Sequence, residues 1–252
     1  MDPDRYLALF RTETAHIPVF ATGRDLDVPV PACPGFSAGE VIRHLGSVYR
    51  RVAGWIRVQG RPETWEREPA AGVDLIEWFQ TGAADLYTLM SDRTPGEPCA
   101  TWWPYDQTMR FWWRRMAHET IVHRADIESA FGPIGPVGRD VAADGADEVL
   151  SLFLGYALSR KAVPEQPTGL WYRGYEQVVG VAAGTRVWRV ALRESSVDIS
   201  PELPHDADAL VLGGAEEVYL WLWGRRDDTA VRITGDDDAA AALRQALTAA
   251  TQ

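Results

Sequence analysis

Glu119, His123 and Asp126 follow one another at spacings of four and three in "RRMAHETIVHRADIESAFG", residues 114–132. On a helix that advances about 100° per residue, Glu119 and His123 lie one turn apart and can reach one point. Trp112, Met116 and Ala130 share their stripe, the face a bundle helix turns toward its core. A carboxylate on such a face is costly to bury unless a cation or a hydrogen-bond donor takes its charge. The chemistry this spacing serves is metal ligation or proton transfer. The plainer alternatives are a hydrogen-bonded surface pair and a satisfied core histidine.

One helix supplies only two ligands, whereas a catalytic zinc takes three protein ligands and keeps one position open. The third is expected from a facing helix. "AGEVIRHLGSVYRRVAGW" places His44 on the apolar face formed by Val41, Leu45, Val48 and Val52, again a polar residue at a core position. His44, Glu119 and His123 together form a His₂Glu set. The "HE" that opens "HETIVH" suggests a zincin, but His118 and His123 are five residues apart. That is about 140° around the helix, too far for the two rings to chelate one ion as an HExxH pair does.

The rest of the chain must position these groups. Its 252 residues suffice for one large domain or two modest ones. A formal charge of -11 argues against nucleic acid or an anionic membrane as partner, and no basic cluster exceeds two or three residues. The N-terminus lacks a basic region followed by an apolar core, and no apolar run approaches the roughly 20 residues that span a bilayer. Cys33 and Cys99 are the only cysteines, without a CxxC motif, which points to a reducing cytoplasm and no disulfide framework. Eleven tryptophans imply a deep aromatic pocket or a heavy core.

Apolar residues recur at helical spacing over 4–21, 37–60, 72–92, 107–131 and 140–160, with Pro or Gly between the segments. "SAGE" at 37–40 reads as a capping box, and "FGPIGPVG" at 131–138 ends the fourth helix. After about residue 168 the pattern shortens to strand-like runs: "GLWYR", "TRVWRVALR", "ALVLGG" and "AVRITGD". Two helices, "AEEVYLWLWGRR" and "DDDAAAALRQALTAATQ", interrupt or close them. The expected fold is α+β in two domains: an antiparallel four-helix bundle over 1–135, then a smaller α/β domain over 140–252. The 140–160 helix belongs with the second domain or bridges the two.

Four stretches, in order, carry a family resemblance: "ACPGFSAGEVIRHLGSVYR", "RRMAHETIVHRADIESAFG", "VAADGADEVL" and "LWLWGRRDDTAVRITGD". They resemble the mycothiol-dependent maleylpyruvate isomerase family of actinobacteria over nearly the whole chain. The resemblance implies a DinB-like N-terminal bundle and a sterol-carrier-like C-terminal domain. It also implies a metal triad of one histidine from the second helix and a Glu-x-x-x-His pair from the last. By motif those positions are His44, Glu119 and His123. The chain departs from the family at Phe36 in "CPGF", where tryptophan is common.

The chemistry so implied is that of a divalent metal, zinc or another, with mycothiol as thiol cosubstrate. Zinc holds a thiol as thiolate at neutral pH. A thiolate that adds to an activated alkene and leaves after rotation gives cis–trans isomerisation; one that stays on the product gives S-transfer. The partners are then a small electrophile and a low-molecular-weight thiol, and the protein is a cytoplasmic monomer or homodimer. Arg225 and Arg226 are candidates for a cationic clamp on an acidic substrate, the alternative being a solvated helix end. Asp126 either orients a ligand histidine or pairs with Arg110 or Arg115, and Trp112 either lines the cofactor pocket beside Trp102, Trp103 and Trp113 or packs in the core. Two other functions share this scaffold: a zinc hydrolase using metal-bound water, and a non-catalytic metal- or ligand-binding protein. Thiol dependence of turnover separates the first reading from the hydrolase.

Overall fold

The computed structural model describes residues 1–157, 175–194 and 196–251. They divide into two compact units, Met1–Gly135 and Pro136–Gln252.

Four long helices build the first unit: α1 (Pro3–Ala21), α2 (Ala38–Val58), α3 (Leu75–Ser91) and α4 (Met109–Phe131). Local chemistry fixes where each begins. Asp2 and Asp74 accept backbone amides at the starts of α1 and α3. Ser37 accepts the Glu40 amide while the Glu40 carboxylate accepts the Ser37 amide, completing the expected capping box of α2. Gly132 stops α4. Helix α1 packs chiefly on α4 and α2 on α3, and the α2–α4 and α1–α3 contacts close the ring.

Tyr49 is the centre of this core. Its buried ring meets Phe10 of α1 at 5.2 Å and Phe79 of α3 at 5.7 Å, and its hydroxyl is 2.8 Å from Thr120 Oγ1 of α4. Three contacts set the register of α2 on α4: His44 against His123, Tyr49 to Thr120, and Trp55 against Trp112 at 5.6 Å. Positions rise on α2 as they fall on α4, so the two helices run antiparallel and each site residue of one faces its partner on the other.

Gly46 permits the close approach of α3 beside His44. A Cβ added there would lie 2.2 Å from the Trp78 ring. That ring cannot yield easily, because its Nε1 donates to Glu66 at 2.7 Å and the Arg50 guanidinium stacks on it at 3.9 Å. Gly46→Ala should therefore destabilise the bundle by about 1–3 kcal/mol, the usual range for an overpacked core. Urea unfolding checks this; an unchanged midpoint would show that α3 repacks without cost.

The second unit begins with α5 (Arg139–Glu148), which runs straight into a π-helical segment, Val149–Ala157. The expected 140–160 helix is thus two helix types in series, within the second unit, and its last three positions lie outside the described residues. A mixed sheet follows: β1 (Gln177–Ala183), β2 (Arg186–Leu192), β3 (Val197–Ser200), β4 (Ala209–Gly213) and β5 (Arg232–Gly235). Its order is β3-β2-β1-β4-β5, with β1 and β4 parallel and the other pairs antiparallel. Helix α6 (Ala215–Leu222) precedes β5, and α7 (Asp237–Thr251) closes the chain. Gly184, at φ +63, starts the two-residue turn between β1 and β2, where a positive φ suits the twist of a tight hairpin.

The expected strand at "GLWYR" lies outside the described residues. The "TRVWRVALR", "ALVLGG" and "AVRITGD" runs form β2, β4 and β5, while β1 and β3 arise from "QVVGVAA" and "VDIS", which the sequence reading passed over. β1 is the middle strand and is buried nearly throughout, so it shows a continuous apolar run instead of alternation.

Candidate metal centre

Within the first unit, α2 and α4 bring the three expected ligands together. His44 Nε2 lies 3.3 Å from Glu119 Oε1, and His123 Nε2 lies 3.6 Å from the same oxygen. The two imidazoles meet edge to face at 4.8 Å between ring centres. One ligand atom from each residue falls within 4.8 Å of the others. Glu119 and His123 are largely buried, at 15% and 18% side-chain exposure, whereas His44 is 41% exposed, so the set opens to solvent on the His44 side.

The neighbours divide the lone pairs among themselves. Arg115, one turn before Glu119, binds its Oε2. Asp126, fully buried, accepts a hydrogen bond of 2.8 Å from His123 Nδ1. Oε1 of Glu119 and Nε2 of His123 are thereby left facing His44. This is the arrangement a His₂Glu site needs: the far nitrogen of a ligand histidine fixed by a carboxylate, and one carboxylate oxygen free toward the ion. The residues fit a divalent metal.

Electrostatics agree. Burial pushes the Glu119 carboxyl up, but Arg115 and hydrogen bonds with His123 and His44 outweigh it and hold the group well below the usual carboxylate range. Burial pulls His123 down, yet its bonds to Asp126 and Glu119 prevail and raise it to about 9. Without metal, His123 is an imidazolium at neutral pH, and ligation must displace that proton. The linkage has a definite sign. A histidine raised from 6.5 to about 9 on folding stabilises the fold fully below pH ~6.5, and the contribution is lost as pH rises through about 9. The melting temperature of chelator-treated protein should therefore fall across that window, and a flat profile would contradict the His123–Asp126 assignment.

The other expected site residues fall as follows. Asp126 pairs with His123, not with Arg110 or Arg115. Trp112 is 2% exposed, donates its Nε1 to the Ala100 carbonyl at 3.0 Å and packs against Trp55 and Phe111. His118 is fully buried on another face of α4, edge-on to Tyr6 of α1, so the zincin pattern is excluded by geometry. Arg225 and Arg226 belong to the second unit, just after α6; Arg225 donates to the Trp223 carbonyl at 2.5 Å, and Arg226 is exposed. Arg115 is the site residue whose role was missed. Its place four residues before Glu119 is the signal, since that spacing favours an ion pair on a helix.

Two family models match the chain: the mycothiol maleylpyruvate isomerase N-terminal domain over residues 10–128, and the corresponding C-terminal domain over 140–242. Among solved structures, a mycothiol-dependent maleylpyruvate isomerase superposes with a TM-score of 0.61 at 13% identity, covering 93% of each chain. A histidine-to-alanine variant of such an enzyme superposes with a TM-score of 0.62 at 11% identity, again covering 93% of each. Both share the helical bundle followed by a mixed α/β unit, the architecture expected from the sequence. No curated protein matches the sequence.

Proposed function

We propose that this chain, which belongs to the mycothiol-dependent maleylpyruvate isomerase family, is a metal- and thiol-dependent enzyme acting on a small electrophile. Family membership supports an isomerase-type activity. The observation that carries the metal requirement is the convergence of His44, Glu119 and His123 from two helices, with Asp126 and Arg115 orienting them.

A zinc or other divalent ion held there would supply Lewis-acid stabilisation of a thiolate at neutral pH. The chain's own residues do the rest. Asp126 keeps His123 Nδ1 protonated and its Nε2 free, and Arg115 keeps Glu119 ionised through Oε2. The exposed edge of His44 is the side from which reactants approach. The thiol proposed is mycothiol, as the names of the similar structures suggest. Addition of the thiol to an electrophilic double bond, rotation and release give cis–trans isomerisation; retention of sulfur on the product gives S-transfer.

Arg225 and Arg226 are proposed as cationic groups for an acidic substrate. Low cysteine content and a reduced thiol cosubstrate support a cytoplasmic site of action. Among the described residues no helix is long and apolar enough to cross a membrane.

The test is metal analysis together with mass spectrometry of small thiols retained on protein purified from a mycothiol-producing host. One divalent ion per chain with co-purified thiol is expected. Stoichiometric metal with thiol-independent turnover would favour a hydrolase.

A further inference from the structure

Beside the metal set, α2 and the loop after it gather arginines that lack acidic partners. Arg51 stands seven residues after His44, two turns along the same face of α2 and about 10 Å along its axis. The antiparallel register that sets Tyr49 beside Thr120 and Trp55 against Trp112 puts Arg51 across from Arg115. Trp65, in the loop after α2, is pinned to α2 by a hydrogen bond of 3.0 Å from its Nε1 to Ser47 Oγ. Its ring carries two guanidinium groups, Arg67 at 4.5 Å and Arg51 at 5.7 Å. Arg61 lies nearby in the same loop and acts on Arg51 electrostatically.

Two acids of this region are already committed, while Glu63 and Glu68 of the loop are exposed and make no ion pair with these arginines. Glu66 binds Arg50 at 2.9 Å and Trp78 at 2.7 Å, and Glu119 binds Arg115. Among the described residues no carboxylate lies within ion-pair distance of Arg51, Arg61 or Arg67. In a chain of formal charge -11, three such guanidinium groups gathered at one place are not an average surface. Arg51 is half-buried; burial lowers its pKa, Glu119 raises it, and Arg61, Arg115 and Arg67 lower it. A half-buried guanidinium without an ion pair is a place for a guest anion.

We propose that Arg51, supported by Arg61 and Arg67, is an anion-binding site for a carboxylate of the electrophilic substrate, next to the metal set. The proposal rests on the functional reading above and deepens it by naming residues of the first unit that position the substrate. A guanidinium can hold a carboxylate through two parallel hydrogen bonds, fixing orientation as well as charge. The neighbouring arginines add attraction without competing for the fork.

The experiment uses the full zinc-loaded protein without thiol, and titrates maleate, a small cis-dicarboxylate alkene, by calorimetry. The uncharged dimethyl ester is titrated in parallel. Arg51→Gln should weaken maleate binding about tenfold or more, the effect of losing a charge-assisted hydrogen bond. Arg51→Lys should fall between it and wild type, because an ammonium keeps the charge and loses the fork. The ester should bind weakly and be indifferent to the substitution. Arg51 has no ion pair within the fold to lose, only its contact with the loop ring of Trp65, so a melting temperature close to wild type is expected in both variants and certifies their folding.

Wild-type affinity for maleate in Arg51→Gln, no maleate binding by the wild type, or equal loss of acid and ester would each overturn the site. An Arg225→Gln/Arg226→Gln variant separates the two sets of cationic groups; loss confined to that variant, with Arg51→Gln unaffected, would also overturn the Arg51 site. The two readings fail separately. Thiol-independent turnover would sink the functional reading and leave this site standing, whereas unchanged maleate affinity in Arg51→Gln would do the reverse.

Discussion

His44→Ala and His123→Ala should each lose the bound metal, and with it turnover. The two histidines come from separate helices and converge on Glu119 Oε1 at 3.3 and 3.6 Å, so neither can replace the other. Changing an outer partner of a metal ligand typically costs about 10–100-fold in affinity, and removing one of three direct ligands should exceed that. The fold should survive in His44→Ala, whereas His123→Ala also removes a partner of buried Asp126 and should lower stability. His44 is 41% exposed, and the core around it is held by Tyr49, Phe10 and Phe79. Glu119→Gln separates two roles: it keeps the shape but removes the negative charge and leaves Arg115 without its carboxylate. Metal binding should weaken with the helices intact. Metal content per chain, measured after dialysis against a weak chelator, checks all three. Full occupancy in either alanine variant would remove that histidine from the ligand set.

The second large effect concerns the nucleophile. If the reacting sulfur arrives on a small thiol, the protein's own cysteines are dispensable. Cys99 is 2% exposed in the loop before α4, where burial pushes its thiol up, away from the reactive thiolate. Cys33 lies in the turn before α2, and its backbone amide bonds the Val30 carbonyl. Neither is on the stripe that carries His44, Glu119 or His123. A Cys33→Ala/Cys99→Ser double variant should retain turnover close to wild type when thiol is supplied. Withholding the thiol should abolish turnover in both proteins, a loss of the whole catalysed rate. A double variant that is inactive although folded and metal-loaded would place the nucleophile on the chain.

Much of the metal set was legible because helices announce themselves locally. A period of 3.6 puts Glu119 and His123 on one face, and the same rule puts His44 on the apolar face of α2, so a polar residue at a core position stands out. The capping box at Ser37 and the glycine stop after Phe131 are equally local. What depends on pairing was not legible. β1 has no alternation because both its faces are covered, and its centre is a glycine, so "QVVGVAA" carries little strand signal on its own. The switch from α to π winding at Val149 has no marker in "VLSLFLGYA". Asp126 could be placed on the stripe, but its choice of His123 over an arginine is a matter of side-chain reach. Arg51 was hidden for another reason. Its spacing from His44 was visible, but the commitment of Glu66 to Arg50 and of Glu119 to Arg115 is known only once the helices are packed.

The most direct measurement is turnover of a panel of small electrophilic alkenes, maleylpyruvate among them, by the purified protein, followed spectroscopically while zinc and mycothiol are each omitted and restored. The account predicts turnover only when both are present, loss on chelation with recovery on adding zinc, and no turnover in His123→Ala under any of these conditions. Turnover that persists without thiol, or that survives complete metal removal, would contradict it.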